Sequence, residues 1–411
     1  MKLTVLGGSG VATPELIAVL ARARERPALD VALHGRTADK LQTVGGICIR
    51  LAQNAGVPLS VSFTTDLEAA LDGADFVLNQ IRVGGYAARA FDETFPRDLG
   101  LPGEETVGPG GFSLTARTVP VVLEYCRAIE RRAPRSLLIN LTNPASLIQY
   151  AISRCSAINS IGVCDSPVGL CQLVAAALET PRPELEMDYL GMHHFGWITG
   201  VRQDGRDQLA EVLSRAQWLS EDLSVDAEVT RAIGAVPSPY LKYYFHPDRM
   251  LAAQQGKAPR AESLLALESE LLAAYQLGRL EAAARRGAHW HEEIVVPVLL
   301  TLMGNSSAPF FLNVRNTGAL DFLPDEAIVE VPAVIGRGGV QTVGPVGSVP
   351  DAVRALLQIN AAYEMLAVEA IVERDRRKAL RALLINPIIR SAAQASGTLA
   401  RVWRENDDLT R

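Results

Sequence analysis

The sequence predicts an α/β protein, a doubly wound parallel sheet followed by an α+β region. Three observations carry that expectation. Short apolar, often β-branched runs alternate with helical patterns through the first 165 residues, which is the spacing of βαβ units. A glycine-rich turn, Gly7-Gly8-Ser9-Gly10, lies between the first such run and the first helical pattern. Beyond about residue 165 the alternation gives way to a strand pair and long helices.

The runs Lys2–Leu6, Val31–His34, Leu59–Phe63, Phe76–Ile81, Leu137–Leu141 and Ile161–Cys164 are the expected strands, with helices near 13–25, 38–54, 113–132 and 145–155. Six parallel strands covered on both faces bind ligands at their carboxyl ends. The stretch 82–111, RVGGYAARAFDETFPRDLGLPGEETVGPGG, is glycine-rich and follows the fourth strand directly; its length suggests a binding loop or lid. In the second half a strand pair is expected around Asp188–Arg202, helices at about 260–304 and 350–385, and strands at Phe310–Val314 and Ile328–Ile335. The 411 residues leave room for two domains, here 1–165 and 166–411, with no clear linker and so close packing between them. The Ala/Leu/Glu-rich helices suit a homodimer or homotetramer.

The net charge of −6 comes without any block of like charges, which argues against a nucleic-acid partner. Arg374–Arg381 contains Asp375 and Lys378 and fits a solvated helix face. Five cysteines, an odd number in apolar patterns, suit a reducing cytosol rather than a disulfide framework. No secretory signal pattern opens the chain, and no apolar run reaches the roughly 18 residues of a membrane span. A cytoplasmic protein is expected.

Five segments can carry chemistry. The Gly7–Gly10 turn stands where a phosphate-binding turn belongs, although Thr13 occupies the position of the third glycine in the usual G-x-G-x-x-G pattern,. The second strand ends His34-Gly35-Arg36 with no acid for a ribose 2′-hydroxyl; Arg36 is either a surface residue or a partner for a 2′-phosphate, which keeps NADP open beside NAD. Asn143 precedes Pro144 at a strand tip and is held extended there. Cys164-Asp165-Ser166-Pro167 joins a strand to a helix, where a thiol is expected to have a lowered pKa and to act as nucleophile or metal ligand. His193-His194 is a candidate partner for it, and Pro239-Tyr240-Leu241-Lys242-Tyr243-Tyr244 holds either a general base or an aromatic packing cluster,. His289 and His291 stand two apart in an expected helix and are left out of the metal site.

Taken in order, LGGSG with TPEL, NQIRVGG, DETFPRDLGLPGEETVGPGGF, LTNPA, GVCDSP, GMHHFGW, PSPYLKYYFHPDRM and LPDEAIVEVP resemble glycoside hydrolase family 4, the NAD- and metal-dependent glycosidases. The resemblance spans nearly the whole chain and is closest to the 6-phospho-β-glucosidase branch. It implies a Rossmann-type domain followed by an α+β domain like that of lactate and malate dehydrogenases. It also implies hydrolysis by a redox detour. NAD⁺ takes a hydride from C3 of the sugar, a divalent metal, usually Mn²⁺, supports loss of the C2 proton, the C1 aglycone is eliminated, water adds, and the hydride returns.

By motif position the resemblance assigns Cys164 and His194 to the metal, Tyr240 to C2 deprotonation (with Tyr243 close by) and Asp165 to the leaving group. Arg82 meets the sugar 6-phosphate and Asn143 the sugar; beside these, His193 is a candidate sugar contact, and Gly7, Gly8, Ser9, Gly10, Arg36 and Asn79 are the candidate cofactor contacts, with the second strand departing from the family in lacking its acid. The family usually has Asn where His193 stands, and Asp165 matches the phospho-α branch. A 6-phospho-α-glucosidase and a glycosidase of unphosphorylated sugar are therefore the nearest alternatives. A dehydrogenase that releases NADH and an inactive sensor are the alternatives from other classes.

Overall fold

β1 (Lys2–Leu6), β2 (Leu29–His34), β3 (Leu59–Thr64), β4 (Phe76–Asn79), β5 (Leu137–Asn140) and β6 (Asn159–Val163) pair in parallel in the order β3-β2-β1-β4-β5-β6. That is the doubly wound order, and its winding reverses between β1 and β4. The computed structural model describes residues 1–23, 27–304, 306–336 and 339–406. The connecting helices are α1 (Thr13–Arg22), α2 (Ala38–Asn54), α3 (Leu67–Leu71), α4 (Gly85–Asp98), α5 (Gly108–Arg132) and α6 (Ala145–Cys155), and α7 (Ser166–Ala177) follows β6. Leu3, Val5 and Leu6 of β1 and Leu33 of β2 are fully buried, because helices cover both faces of the sheet. Start signals explain the helix boundaries. Asp66 accepts hydrogen bonds from the Glu68 and Ala69 N–H groups at the start of α3, and Pro14 sits in the first turn of α1, where its missing N–H costs nothing.

Much of the stretch expected as a loop at 82–111 is helical. Gly84 and Gly85 take left-handed φ values of 79° and 60°, and α4 then runs through DETFPRD despite Pro96. Phe95 packs into the core, and Pro96 leaves the Asp92 carbonyl without its intrahelical donor. Glycine density at both ends and the proline imitated loop signals. Residues 82–84 and 99–107 remain irregular, and the latter is pressed against α4: a Cβ on Gly103 would lie 1.8 Å from the Glu93 carbonyl oxygen.

The second half joins the same sheet. β7 (Leu185–Met192) and β8 (Phe195–Gln203) form the expected hairpin, edged by β9 (Arg206–Asp207) and β10 (Val236–Pro237). β11 (Ala308–Arg315) lies antiparallel between β6 and β12 (Ile328–Gly336), which also pairs with β13 (Gly339–Thr342) and β7. Among the described residues thirteen strands thus form one sheet.

The expected helix at 260–304 is broken. It becomes Arg260–Gln276, a 3₁₀ turn at Leu280–Arg286, a π-helical turn at His291–Val295 and Val296–Met303. Gly278 and Gly287 (φ 75° and 63°) make two of the breaks, as left-handed glycines do at helix ends. The helix expected at 350–385 divides at Arg374 into Asp351–Glu373 and Arg376–Ile385, and Asp375 caps the second piece. Asp351–Glu373 is long and apolar enough to cross a membrane, but half of its most apolar window is buried and it packs on α5 and α6.

Because a Cβ at position 103 meets backbone rather than a movable side chain, Gly103→Ala is expected to lower stability by about 1–3 kcal/mol. Urea denaturation should show a lower midpoint at an unchanged slope; an unmoved midpoint would contradict the close approach.

Candidate active site

The carboxyl ends of five strands supply the site. β1 ends in the Gly7–Gly10 turn, β2 in Gly35-Arg36, β4 in Gln80-Ile81-Arg82, β5 in Leu141-Thr142-Asn143 and β6 in Cys164-Asp165. All of these tips open on one cavity of about 740 Å³. Gly7, Ser9, Gly10 and Arg36 line its cofactor-like end, and Arg82, Asn143, Cys164, Asp165, His194 and Tyr240 line the rest.

The glycine turn is dictated by crowding. Gly7 has φ 83°, and a Cβ there would lie 2.7 Å from the Gln80 carbonyl oxygen. Gly8 packs on β2, where its N–H donates to the His34 carbonyl (2.8 Å) and a Cβ would lie 2.8 Å from Leu33 Cβ. Among the described residues no carbonyl or side chain accepts from the Ser9, Val11 and Ala12 N–H groups, and all three residues line the cavity. Such a row of free donors at a helix start is an anion seat. Gln80 locks it from behind: its Nε2 donates to Thr13 Oγ1 (3.0 Å) and its Oε1 lies 3.1 Å from His291 Nε2. Asn79 does not line the cavity; it is buried and donates to Asn140 Oδ1 (2.9 Å).

Cys164, His193 and His194 place one ligand atom each within 4.8 Å of one another. The two histidines form the connection of the β7–β8 hairpin, and His194 has a left-handed φ of 60°, a conformation non-glycine residues adopt at a cost. The His193 ring stacks on His194 at 3.7 Å, and His194 stacks on Tyr240 at 3.5 Å with 7° between planes. Thr106 Oγ1 donates to Glu104 Oε1 (3.2 Å), so at its 2.9 Å contact with His194 Nδ1 it accepts. That chain fixes the Nδ1–H tautomer and leaves the Nε2 lone pair for a ligand. Among the described residues, neither ring nitrogen of buried His193 has a protein partner. Burial holds His193 neutral, with its pKa lowered to about 3. Burial and the His193 ring keep His194 neutral too. Neutral imidazoles are what a metal binds.

The Cys164 thiol departs from expectation. Its Sγ does accept from the Ser166 N–H at the start of α7 (3.4 Å), but burial, Glu330 and Asp165 push its pKa well up. Desolvation of a thiolate outweighs one helix terminus here. Burial also raises Asp165, which favours its protonated form. Tyr243 donates to Glu104 Oε2 (3.1 Å), whereas among the described residues nothing hydrogen-bonds the Tyr240 hydroxyl, and Tyr240 alone of the two lines the cavity.

Arg82 is ion-paired with Glu105, which also holds buried Arg89 (2.7 Å). Arg89 Nε reaches Glu93 Oε1 (2.7 Å), and Arg117 Nη1 donates to buried Asp92 Oδ1 (2.9 Å). Glu104, Glu105, Thr106 and Arg89 were not singled out in the sequence. Glu104, Glu105 and Thr106 belong to its longest motif and Arg89 lies just ahead of it, but nothing local shows that 104–106 reaches His194, 88 positions away. Beneath the cluster, buried Glu330 accepts from Tyr189 Oη (2.5 Å) and Asn313 Nδ2 (2.7 Å), and its pKa is raised to about 7 by burial.

Two profiles match the chain: "Family 4 glycosyl hydrolase" over residues 2–180 and "Family 4 glycosyl hydrolase C-terminal domain" over 189–389. The "Probable 6-phospho-beta-glucosidase" of Bacillus subtilis (strain 168) is 32% identical, covering 97% of this chain and 95% of that protein. A phospho-alpha-glucosidase of Clostridium acetobutylicum is 29% identical over 93% of each. The crystal structure of the 6-phospho-beta glucosidase from Thermotoga maritima with manganese, NAD⁺ and glucose-6-phosphate superposes with TM-score 0.90 at 26% identity, over 99% of this chain and 98% of that one. Malate dehydrogenase of Cryptosporidium parvum, at TM-score 0.57 and 16% identity over 90% of this chain and 99% of that one, shares the fold alone. The chain belongs to glycosyl hydrolase family 4.

Burial also raises Glu364, on the helix Asp351–Glu373, to about 8, and Asn360 Nδ2 donates to it (3.1 Å). A carboxyl whose folded pKa is raised holds its proton after the unfolded chain has released one. Stability is then fully present at low pH and falls as pH rises from about 4.5 through about 8. Glu364→Gln is expected to flatten that fall by on the order of a few kcal/mol, measured as urea midpoints across this pH range. A slope equal to that of the unaltered protein would refute the buried, protonated carboxyl.

Proposed function

We propose that this family 4 chain hydrolyses the O-glycosidic bond of a small 6-phospho-glucoside, a 6-phospho-β-glucoside foremost, with NAD and a divalent cation, manganese foremost. One observation carries the proposal: the Cys164/His194 pair, Tyr240 and Asp165 face the same cavity as the Gly7 turn.

The residues present fit both groups. A cradle that a Cβ at Gly7 would fill, with three unpaired N–H groups, suits a pyrophosphate,. Two neutral imidazoles with an unpaired ring nitrogen each, beside a thiol, suit a divalent cation. Because thiolate is soft and Mn²⁺ hard, sugar oxygens must complete its shell. When bound, the nicotinamide supplies a hydride acceptor and donor, and the cation a Lewis acid.

The chain's own residues then divide the remaining work. Cys164 and His194 hold the cation, and His193 either joins them or contacts the sugar. Tyr240, parallel to the His194 ring, takes the proton from C2. Asp165, favoured in its protonated form, gives a proton to the departing oxygen. Arg82 faces the 6-phosphate, where a guanidinium binds bidentately, and Asn143 orients the sugar. Ser9, Gly10 and Arg36 meet the dinucleotide, while Gly7, Gly8 and Asn79 shape the turn and strand tips beneath it. Residues 1–165 supply the dinucleotide crevice, and 166–411 supply His194, Tyr240 and the oligomer contacts. Free cysteines fit a cytoplasmic setting, and the exposed apolar side chains Ile359, Val372, Leu384 and Ile385 fit a homo-oligomer.

A panel of p-nitrophenyl glucosides, with and without 6-phosphate and in both anomers, tests the proposal under reducing conditions with Mn²⁺ and with NAD⁺ and NADP⁺ in turn. The 6-phospho-β-glucoside should release p-nitrophenol with no net absorbance of reduced cofactor. Stoichiometric reduced cofactor would mark a dehydrogenase, and silence across the panel would end the glycosidase assignment.

Tyr240→Phe should lower kcat on that substrate by about a hundredfold or more, whereas Tyr243→Phe, which loses only its bond to Glu104, should cost much less. The reverse order would move the base to Tyr243.

A further inference from the structure

The tip of β2 is where a doubly wound sheet meets the adenosine ribose of a dinucleotide. An acid there accepts from the 2′-hydroxyl and repels a 2′-phosphate; an arginine there does the opposite. In this chain the tip runs His34-Gly35-Arg36-Thr37, with no carboxylate. Gly35, Arg36, Thr37 and Lys40 all line the cavity. Gly35 is pressed on the glycine turn so closely that a Cβ would lie 2.9 Å from both Ser9 Cβ and Oγ, so Arg36 follows at the place where turn and ribose meet.

Charge pairing separates the two cations. Lys40 is held by Glu268 at 2.8 Å. Arg36 is exposed and pairs with no carboxylate among the described residues. An unpaired guanidinium at this tip loses no ion pair when a phosphate arrives. Asp39, the acid nearest in sequence, does not line the cavity.

We propose that Arg36, supported by Lys40, binds a 2′-phosphate at the adenosine ribose, so that this chain binds NADP⁺ more tightly than NAD⁺. The proposal rests on the nicotinamide-dependent function above and fixes which dinucleotide that function uses. The strand tip itself offers a bare 2′-hydroxyl no carboxylate acceptor, whereas a 2′-phosphate, carrying about two negative charges near neutral pH, meets the unpaired Arg36, with the Lys40–Glu268 pair beside it on the cavity wall.

Calorimetric titration of the full-length protein with NADP⁺ and with NAD⁺ tests it without any turnover. The unaltered chain should bind NADP⁺ about tenfold or more tightly than NAD⁺. Arg36→Asp should weaken NADP⁺ by at least about tenfold and retain NAD⁺, which also shows that the variant is folded. Equal or tighter binding of NAD⁺ by the unaltered chain, or a ratio that Arg36→Asp leaves unmoved, overturns the proposal and leaves the glycosidase assignment standing. Failure to bind either dinucleotide overturns both.

Discussion

A Cβ on Gly7 would lie 2.7 Å from the Gln80 carbonyl oxygen, and much of the site depends on that approach. β1 and β4 diverge in connection at this point, so the crevice of the sheet opens there. With no side chain at position 7, the turn folds down on the β4 tip, and Gln80 can tie α1, through Thr13, to the π-helical turn, through His291. A substituent at Gly7 would lift the turn away from both. The donors of Ser9, Val11 and Ala12 would then no longer face the space that Arg82 and Asn143 border.

The neighbouring cluster shows what burial does to ionisable groups. His193, His194, Cys164, Tyr240 and Glu330 are enclosed together, and burial is the first cause of displacement in each. Every shift favours the neutral form, because charge is expensive away from water unless it is paired. The ion pairs Arg82–Glu105, Arg89–Glu93 and Arg117–Asp92 gather instead on the β4 tip, α4, α5 and segment 99–107. One wall of the cavity is thus rich in fixed charge, while the other is a stack of uncharged rings beside a protonated thiol. A divalent cation and a phosphorylated sugar each have a natural side.

Much of the first half was legible because its signals are local. Apolar runs place the six parallel strands within a residue or two, whereas the short helix α3 was not expected although Asp66 caps its start,. The stretch 82–111 misled because glycine and proline punctuate a helix there rather than a loop. The Cys164 thiol misled because a helix terminus is visible in sequence and desolvation is not. The pairing of Cys164 with His194, 30 positions apart, is weak as a pattern, and only the ordered family motifs single it out as a candidate metal site. Nothing local ties Thr106 to His194 or Glu330 to Tyr189; those contacts exist only once distant strands are paired.

The pairing of β6 with β11 has a consequence for how the molecule comes off the ribosome. Leu312 stands opposite Val163 and Asn313 opposite Gly162, where a Cβ would lie 2.8 Å from Asn313 Cβ. Within the sheet, among the described residues, the hairpin bearing His193 and His194 joins that edge through β12. The glycine turn and its neighbouring strands are therefore synthesised long before the strands that seat the hairpin beside Cys164. A nascent chain that has emerged through β6 already carries every strand tip of the nucleotide crevice. The strand that joins the hairpin of His193 and His194 to the rest of the sheet leaves the exit tunnel only with residues 328–336, so the dinucleotide crevice can be complete before the sheet that carries that hairpin is closed.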